Sequence, residues 1–444
     1  MRISYLKERT GETVNLNELL LNNSIALSNT NDLDILIEKI GNAKYVLLGE
    51  ASHGTHEYYT LRAKITKKLI EKKGFSFVAV EGDWPDCYRV NRYVKNYPEA
   101  GNNAFDVLHT FNRWPTWMWA NWEMVALTEW LRKYNDKLSS PDKIGFYGLD
   151  VYSLWESLDA IINYTGEKDL RTKRAAMDVL KCFEPYSDGE GASYARASQT
   201  MSSICQEEVV ELLCHIRKDT NLYAADPETK LNSEQNAHII VNAEKYYRQM
   251  VQPGPDSWNT RDHHMVETLN RLMKFHGPDA KAIIWEHNTH IGDARATDMS
   301  QNGMVNVGQL LNEQNNKQDV FSIGFGSFKG TVIASREWGG PMYSVNVPKA
   351  KPGSWEHLMH QLGTQSRIVF MTDEMKKEIG QKELEHRAIG VVYIPEYERF
   401  GNYVPSLIPH RYEAFIFIDE TTALHSLHIK PDGRQMPETF PFGM

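Results

Sequence analysis

Four short apolar segments of the chain each end in side chains that can exchange protons or carry charge. The segments are 45–48, 75–80, 144–149 and 281–285. The residues that follow them are, in order, Glu50 with His53, Glu81 with Asp83, Asp150, and His287 with His290. A neutral histidine can take a proton from water as that water attacks a carbonyl group, while a carboxylate orients and polarises the histidine. These residue types therefore indicate water-activating chemistry.

The same pattern predicts the elements that would bring these residues together. Short apolar runs bounded by glycine or charge are typical of strands buried on both faces, and the carboxyl ends of parallel strands open onto a ligand crevice. The run at 45–48 ends at Gly49, and a tight turn and a helix over 55–73 are predicted to follow it. One polar strand end fits a solvated loop equally well. Four in series indicate a catalytic crevice in a doubly wound α/β fold.

The rest of the chain predicts a helical insertion followed by further strands. Residues 152–276 contain no convincing strand, and their helical periodicity predicts an insertion of four or five helices that covers the crevice. Asp262, His263 and His264 are expected to open its last helix as capping and solvated side chains. Later strands are predicted at 320–325, 367–371, 389–393 and 412–418, together with an antiparallel pair formed by 331–334 and 343–347.

Four tryptophans lie within the twelve residues from 111 to 122. Tryptophan clusters usually belong to the hydrophobic core because of the apolar area that they bury. The functional alternative is an aromatic wall of a substrate pocket, with Asn112 or Arg113 supplying polar contacts. Both interpretations stay open, and Trp114 is a candidate substrate contact.

Composition and charge limit the classes of protein to consider. The 444 residues are 41% hydrophobic and 24% charged, which is typical of a globular protein of two or three domains. The net charge of −9, without a basic stripe, argues against a nucleic-acid partner, and no apolar run is long enough to predict a membrane span. The four cysteines form no C-x-x-C pair, so neither a disulfide framework nor a zinc site is predicted, and a reducing, cytoplasmic location is expected.

The familiar motifs of covalent and phosphate chemistry are missing from the sequence. It contains no G-x-S-x-G elbow, no suitably framed nucleophilic cysteine and no glycine-rich phosphate loop. Direct hydrolysis by activated water, without a covalent intermediate, is therefore the first hypothesis. In it, Arg62 is available to bind a substrate oxygen or to stabilise a developing oxyanion.

A metal-dependent hydrolase is the competing hypothesis. His53 with His56, and His287 with His290, are H-x-x-H pairs. With Glu50 or Glu81 they offer the nitrogen and oxygen ligands that a divalent ion accepts. The stricter H-E-x-x-H signature is not present.

Taken together, the motifs resemble those of the erythromycin esterase family, which also includes proteins labelled as succinoglycan biosynthesis proteins. The resemblance is carried by Gly49-Glu50-Ala51-Ser52-His53-Gly54 with Glu57 and Arg62, by Glu81-Gly82-Asp83-Trp84, by Trp285-Glu286-His287-Asn288-Thr289-His290-Ile291, by the tryptophan segment, by Gly148-Leu149-Asp150, by Arg261-Asp262 and by Arg411-Tyr412-Glu413-Ala414-Phe415. It spans nearly the whole chain, and the combination is specific although no single motif is.

The resemblance implies an α/β protein with a mostly parallel sheet core, a helical insertion and a small additional α+β domain. The core corresponds to residues 1–151 and 277–335, with a return to it at 406–444. The insertion corresponds to 152–276 and the α+β domain to 336–405.

The resemblance also implies a metal-independent esterase that opens a macrolide lactone with water, and no cofactor. The family's general base maps to His53, its essential carboxylates to Glu50 and Glu81, its arginine to Arg62 and its second histidine to His287. His290, Asp150 and Trp114 are the candidate substrate-binding residues.

One position departs from the family pattern. Glu286 stands where the resistance enzymes carry a small residue. It is expected to add negative charge beside His287 and to raise the pKa of that histidine.

The sequence thus predicts a cytoplasmic hydrolase of carboxylic esters, with macrolide lactones as the named candidate substrate and antibiotic resistance as one biological setting. The alternatives are the metal-dependent hydrolase on the same scaffold and a non-catalytic ligand-binding or exopolysaccharide-associated protein. The expected partner is a small-molecule ester, with no nucleic acid and no membrane. The oligomeric state is not predicted.

Overall fold

A mixed sheet runs through the centre of the computed structural model, which describes residues 5–7, 13–165, 169–186, 191–199, 205–218 and 227–428. The strands are β1 (Tyr5–Lys7), β2 (Thr13–Asn15), β3 (Ser24–Ala26), β4 (Tyr45–Leu48), β5 (Phe77–Asp83), β6 (Gly145–Asp150), β7 (Ala282–Trp285), β8 (Val320–Ser335), β9 (Met342–Val347), β10 (Arg367–Phe370), β11 (Leu384–Arg387), β12 (Tyr403–Ser406) and β13 (Ala414–Thr421). The helices are α1 (Leu16–Asn22), α2 (Leu33–Ile40), α3 (His56–Lys73), α4 (Trp84–Val94), α5 (Ala104–His109), α6 (Trp122–Asn135), α7 (Leu154–Thr165), α8 (Leu170–Phe183), α9 (Ala192–Ser198), α10 (Gln206–Lys218), α11 (Thr229–Gln249), α12 (Asp256–His276), α13 (Asn288–Ile291), α14 (Val307–Gln314), α15 (Trp355–Gln361), α16 (Asp373–Ile379), α17 (Glu398–Gly401) and α18 (Ile408–Arg411).

Nine of the described strands form the central sheet. Their order is β3-β10-β13-β8-β4-β7-β5-β6, with β9 paired to β8. The strands from β13 to β6 are parallel to their neighbours, whereas β3, β10 and β9 pair in the antiparallel sense. The predicted α/β fold with a mostly parallel sheet is confirmed. Because β4, β7, β5 and β6 are consecutive and parallel, the four polar strand ends share one edge.

Helices cover both faces of this sheet. Val46 and Leu48 of β4 belong to the hydrophobic core that includes α2 and α3. Tyr45 and Leu47 belong to a second core that includes α1, α12 and α14. Alternate side chains of a strand lie on opposite faces of a sheet. Strand β4 is therefore buried on both faces, which explains its unbroken apolar run.

The described residues between β6 and β7 contain the helices α7 to α12 and no strand. They have a hydrophobic core of their own. Cys182 and Cys205 form a disulfide in this segment, with their Cα atoms 5.7 Å apart. The prediction of no disulfide was wrong, and the reducing compartment inferred from it loses that support. The sequence shows no local cysteine pattern because the packing of α8 against α10 brings together residues 23 positions apart.

The later strands are only partly as predicted. The antiparallel pair is confirmed as β8 with β9, although β8 is one continuous strand from Val320 to Ser335. The strand predicted at 389–393 is wrong, since β11 lies before it and pairs with β12. Ile389 and Val392 form only isolated bridges. The apolar character of this run reflects burial instead, because Ile389 and Tyr393 pack in a small core against β8.

The boundaries of the predicted segments stay predictions. Within residues 336–405, β9 and β10 pair with the central sheet, whereas β11 and β12 form a separate antiparallel pair. None of the helices in the described part of the chain is long and apolar enough to cross a bilayer.

Candidate active site

A cavity of about 610 Å³ lies at the carboxyl ends of the parallel strands. The predicted site residues that line it are His53, Glu81, Trp114, Asp150, His287 and His290. Glu50 and Arg62 are 1% and 0% exposed, and they lie behind His53. A cavity of this size is typical of small-molecule sites. The structure therefore brings the four strand ends together as the sequence pattern predicts.

The loop between β4 and α3 positions Glu50 and His53. It packs so closely against β8 that a Cβ atom on Gly54 would lie 1.9 Å from the carbonyl oxygen of Ile333, so this position requires glycine. Glu50 Oε1 lies 2.9 Å from His53 Nδ1. Because a carboxylate can only accept, Nδ1 carries the proton and the neutral ring keeps its lone pair on Nε2.

Arg62 holds the other oxygen of Glu50. Its Nη2 donates to Glu50 Oε2 over 2.5 Å. Its guanidinium lies over the rings of Tyr59 and Trp285, at 4.4 and 4.6 Å from their centroids. Arg62 is fully buried and does not line the cavity. The predicted contact with a substrate oxygen is therefore not what the structure shows, and Arg62 instead compensates the charge of Glu50.

His287 lies beside His53, with the two ring centroids 5.0 Å apart. The backbone amide of Thr289 donates to His287 Nδ1 over 3.3 Å, so the neutral ring carries its proton on Nε2. Burial and the neighbouring His53 lower the pKa of His287 well below its ordinary value. His287 is therefore neutral near pH 7 and suited to donate a hydrogen bond.

A second cluster is organised by Arg261, which α12 contributes from the helical insertion. Its Nε and Nη2 donate to the two oxygens of Asp150, over 2.9 and 2.6 Å. The same Nη2 donates to Glu81 Oε1 over 2.7 Å, and Nη1 donates to His290 Nε2 over 2.9 Å. One guanidinium thus joins the ends of β5 and β6 to the helix that follows β7.

His290 is held from three directions. Its Nδ1 lies 2.9 Å from Asp262 Oδ1, its Nε2 accepts from Arg261, and Trp258 stacks on its ring at 4.6 Å. Asp262 is fully buried. The expectation of a solvated capping residue was wrong for Asp262, because α12 begins earlier, at Asp256, and turns Asp262 toward the sheet. His264 is also buried, and only His263 is exposed.

Glu81 is ionised despite its burial. Burial raises the pKa of a carboxyl group, but His290, His53 and Arg261 act in the opposite direction. The backbone amide of His287 also donates to Glu81 Oε2 over 2.8 Å. Together these groups lower the pKa of Glu81 far below its usual range. Glu81 therefore supplies a fixed negative charge between the two clusters.

Glu286 and Asp83 are carboxyl groups whose pKa is raised. Burial, followed by Glu81 and Asp262, raises the pKa of Glu286 well above its usual range, and within the described residues neither of its oxygens has a hydrogen-bond partner. The expectation that Glu286 adds negative charge beside His287 was wrong, because the buried acid is neutral and desolvation lowers the pKa of His287. Burial also raises the pKa of Asp83 to about 7, against the effect of Arg113.

The two H-x-x-H pairs do not converge on one point. His53 binds Glu50, whereas His56 Nδ1 lies 2.5 Å from Glu123 Oε1, outside the cavity. His290 uses its Nδ1 proton on Asp262 and its Nε2 lone pair on Arg261, so no nitrogen of its ring is left for a metal. The ligand set of the metal-dependent hypothesis is not assembled in this arrangement.

The tryptophan segment is divided between core and cavity. Trp117 is fully buried. Trp114 lines the cavity, donates from Nε1 to the carbonyl oxygen of Gly340 over 2.9 Å and packs against Trp338. Trp338 also lines the cavity and is 67% exposed, so it extends the aromatic surface to solvent. The core interpretation is confirmed for Trp117, whereas Trp114 lines the cavity and stays a candidate substrate contact.

Sequence reasoning missed Trp258. It noted Arg261 only through the resemblance, and it expected Asp262 to be a solvated capping residue. The sequence does carry a usable signal, because a tryptophan, an arginine and an aspartate cluster at 258–262. They lie in the last helix before β7, and such a helix can bring its side chains to the edge of the sheet where the site lies. No local signal marks Trp338 or the cavity-lining residues of 388–404, which arrive through the β8–β9 hairpin and the β11–β12 pair.

The fold and the site define an α/β protein with a cavity at the carboxyl ends of its parallel strands, lined by histidine and carboxylate side chains. The sequence model of the erythromycin esterase family matches residues 70–421. The chain belongs to that family, as its motifs indicate.

Named relatives are distant and cover most of the chain. The chain is 22% identical over 339 residues to the putative hydrolase YbfO of Bacillus subtilis strain 168, which is 69% of this chain and 70% of that protein. It is 22% identical over 376 residues to the erythromycin esterase type II of Escherichia coli, which is 77% of this chain and 84% of that protein. A crystal structure of a succinoglycan biosynthesis protein matches with a TM-score of 0.74 at 20% identity, over 93% of this chain and 98% of the other. That likeness shows the fold, and the family indicates hydrolase or esterase activity.

Proposed function

We propose that the protein hydrolyses carboxylic esters with a water molecule that His53 activates, without a covalent intermediate and without a metal ion. Macrolide lactones are the candidate substrate. The observation that carries the proposal is the pairing of His53 Nδ1 with Glu50 at 2.9 Å, which fixes the tautomer with its lone pair on Nε2. This is the state that a general base requires.

The proposed reaction balances with water as the only co-substrate. The water oxygen attacks the carbonyl carbon while one water proton passes to His53 Nε2. Glu50 stabilises the imidazolium, and Arg62 compensates the charge of Glu50. The tetrahedral intermediate then expels the alcohol oxygen, which takes the proton back from His53. A simple ester gives an acid and an alcohol, whereas a lactone gives one hydroxy acid that is heavier by one water molecule.

His287 is proposed to stabilise the developing oxyanion. Its pKa is lowered by burial, so it is a neutral donor whose proton lies on Nε2. Glu81 positions it, because Glu81 Oε2 accepts from the His287 backbone amide. Donors held in place where negative charge develops are among the largest contributors to catalysis.

The opposite wall is proposed to bind the substrate. Asp150, His290 and Trp114 line the same cavity, and the first two are held by Arg261. The aromatic surface of Trp114 and Trp338 provides apolar area for a large substrate such as a macrolide.

The test compares the wild type, His53→Ala and the control His263→Ala, which changes an exposed histidine of α12. Each is incubated in H₂¹⁸O with erythromycin or a short-chain chromogenic ester, with and without a chelator, and products are measured by mass spectrometry. We expect one ¹⁸O atom in the product carboxyl group and a roughly 100- to 10,000-fold slower reaction for His53→Ala. His263→Ala and the chelator should leave the rate unchanged.

Each other outcome contradicts a defined part of the proposal. Cleavage of the simple ester alone removes the macrolide assignment. Loss of activity with the chelator favours the metal-dependent hydrolase. Tight binding without reaction, unchanged in His53→Ala, favours a ligand-binding protein.

A further inference from the structure

A separate histidine–carboxylate cluster lies outside the cavity, where the segment after β13 crosses α3 and α6. His56 is the first residue of α3, Glu123 lies in the first turn of α6, and His425 follows β13. Glu123 Oε1 lies 2.5 Å from His56 Nδ1 and 2.7 Å from His425 Nδ1. The two imidazole rings are 5.2 Å apart and nearly perpendicular. Three distant parts of the chain thus direct ring nitrogens and a carboxylate to one point.

The carboxylate of this cluster is incompletely satisfied. The Glu123 side chain is 4% exposed. Both imidazoles contact Oε1, and within the described part of the chain Oε2 is buried without a hydrogen-bond partner. Buried polar atoms without partners are rare in folded proteins, and a bound cation is one recognised partner of such a carboxylate oxygen.

The donor set also matches a metal. Within the described residues, this is the one group of three His, Cys, Asp or Glu residues that can each bring a ligand atom within 4.8 Å of the others. Two imidazole nitrogens and a carboxylate oxygen suit zinc and related transition metals.

We propose that His56, Glu123 and His425 bind a divalent transition-metal ion of the zinc class, at a site separate from the hydrolytic cavity. The side chains of His56 and His425 are 23% and 47% exposed, so solvent can complete the coordination.

The surrounding backbone indicates what the ion would do. The amide of His56 donates to the Thr422 carbonyl oxygen over 2.9 Å, and the amide of Trp122 donates to the His425 carbonyl oxygen over 3.0 Å. The Thr422 amide donates to Glu57 Oε2. The ion would therefore clamp the segment after β13 onto the start of α3, three residues beyond His53.

The experiment titrates the metal-stripped full chain with ZnCl₂ by calorimetry and with CoCl₂ by visible absorption. We expect one ion per chain, a cobalt spectrum typical of low coordination number and a zinc-dependent rise of the melting temperature, because an ion that binds only the folded chain stabilises it. His425→Ala should weaken binding by at least about 100-fold, because even the loss of an outer-shell partner costs roughly 10- to 100-fold in metal affinity, and it should abolish the rise. His53→Ala is the matched control, since it removes a histidine of the cavity, and its zinc affinity should equal that of the wild type.

Two results would overturn the proposal. Zinc binding that persists in His425→Ala but falls in His53→Ala would place the ion in the cavity. If the wild type binds zinc no more tightly than His425→Ala does, the three residues form only a hydrogen-bonded cluster. Glu123→Gln provides a second variant of nearly unchanged shape, and it must also weaken zinc binding. The proposal does not rest on ester hydrolysis, which should proceed at the same rate in the metal-stripped chain.

Discussion

The cavity contains two clusters made of the same residue types in different arrangements. Each has a histidine whose Nδ1 faces a carboxylate, at 2.9 Å in both cases: His53 with Glu50, and His290 with Asp262. Each also has one arginine. Arg62 donates to the far oxygen of Glu50, whereas Arg261 donates to the His290 ring at Nε2.

The position of the guanidinium therefore decides what each histidine can do. An arginine behind the carboxylate leaves the Nε2 lone pair to act at the cavity, so His53 can serve as a base. An arginine on Nε2 uses that lone pair, so His290 can only position its neighbours. Residue types alone do not distinguish these roles, because both clusters contain histidine, acid and arginine.

The largest expected effect is on kcat/KM, and it comes from removing the histidine that is proposed as the base. His53→Ala should lower kcat/KM by roughly 100- to 10,000-fold, as for the loss of a general base. His290→Ala should lower it by about 10-fold, because it removes a positioning contact. Steady-state kinetics on the cleaved ester measure both. Equal losses would mean that the two histidines do not differ in role.

Removing the organising cation of the second cluster should mainly affect stability. Arg261→Gln leaves Glu81 and Asp150 buried without their counter-charge, and breaking a buried ion pair costs about 3–5 kcal/mol. Urea denaturation measures the change. Arg336→Gln is the control, since Arg336 pairs with Glu396 at the surface and its loss should cost less than about 1 kcal/mol. Similar losses in the two variants would contradict the organising role of Arg261.

Changing the carboxylate behind His53 should mainly lower kcat. Glu50→Gln keeps a similar shape but cannot stabilise an imidazolium with a full charge, so we expect kcat to fall by about 100-fold with KM little changed. Asp262→Asn makes the same change in the second cluster and should have a smaller effect on kcat. Rapid-quench or steady-state kinetics distinguish the two. A wild-type kcat in Glu50→Gln would show that Glu50 does not assist His53.

The smallest expected effect concerns the pH dependence of stability. Arg261 Nη2 lies 2.7 Å from Glu81 Oε1, whereas Arg113 Nη1 lies 3.3 Å from Asp83 Oδ2. Burial raises the pKa of Asp83 to about 7. A carboxyl group with a raised folded-state pKa binds protons more tightly in the folded chain, so its contribution to stability is lost as pH rises through 7. The wild type should lose about 1 kcal/mol of unfolding free energy between pH 6 and 8 that Asp83→Asn does not lose. Urea denaturation at the two pH values measures this difference. If the unfolding free energy changes by the same amount in the wild type and in Asp83→Asn, the raised pKa of Asp83 is contradicted.

The sequence predicts most of the sheet and the first cluster. Apolar runs that end in charge identify β4, β5, β6 and β7, because strands buried on both faces need continuous apolar residues. Glu50, His53 and Arg62 lie within one strand–loop–helix unit, so their proximity follows from local structure.

The second cluster is harder to predict because its members come from distant elements. Arg261 and Asp262 come from α12, and they meet Glu81, Asp150 and His290 only through the packing of the helical insertion over the sheet. The charge state of Glu286 was also out of reach, since it depends on complete burial and not on its neighbours in sequence.

Chemical rescue by free imidazole tests the central claim most directly. In His53→Ala, imidazole can enter the space left by the side chain and act as the missing base, so ester hydrolysis should increase with imidazole concentration and saturate. In His290→Ala the base is still present, so imidazole should not increase the rate. Rescue of His290→Ala, or wild-type hydrolysis by His53→Ala without imidazole, would contradict the assignment of His53 as the base that activates water.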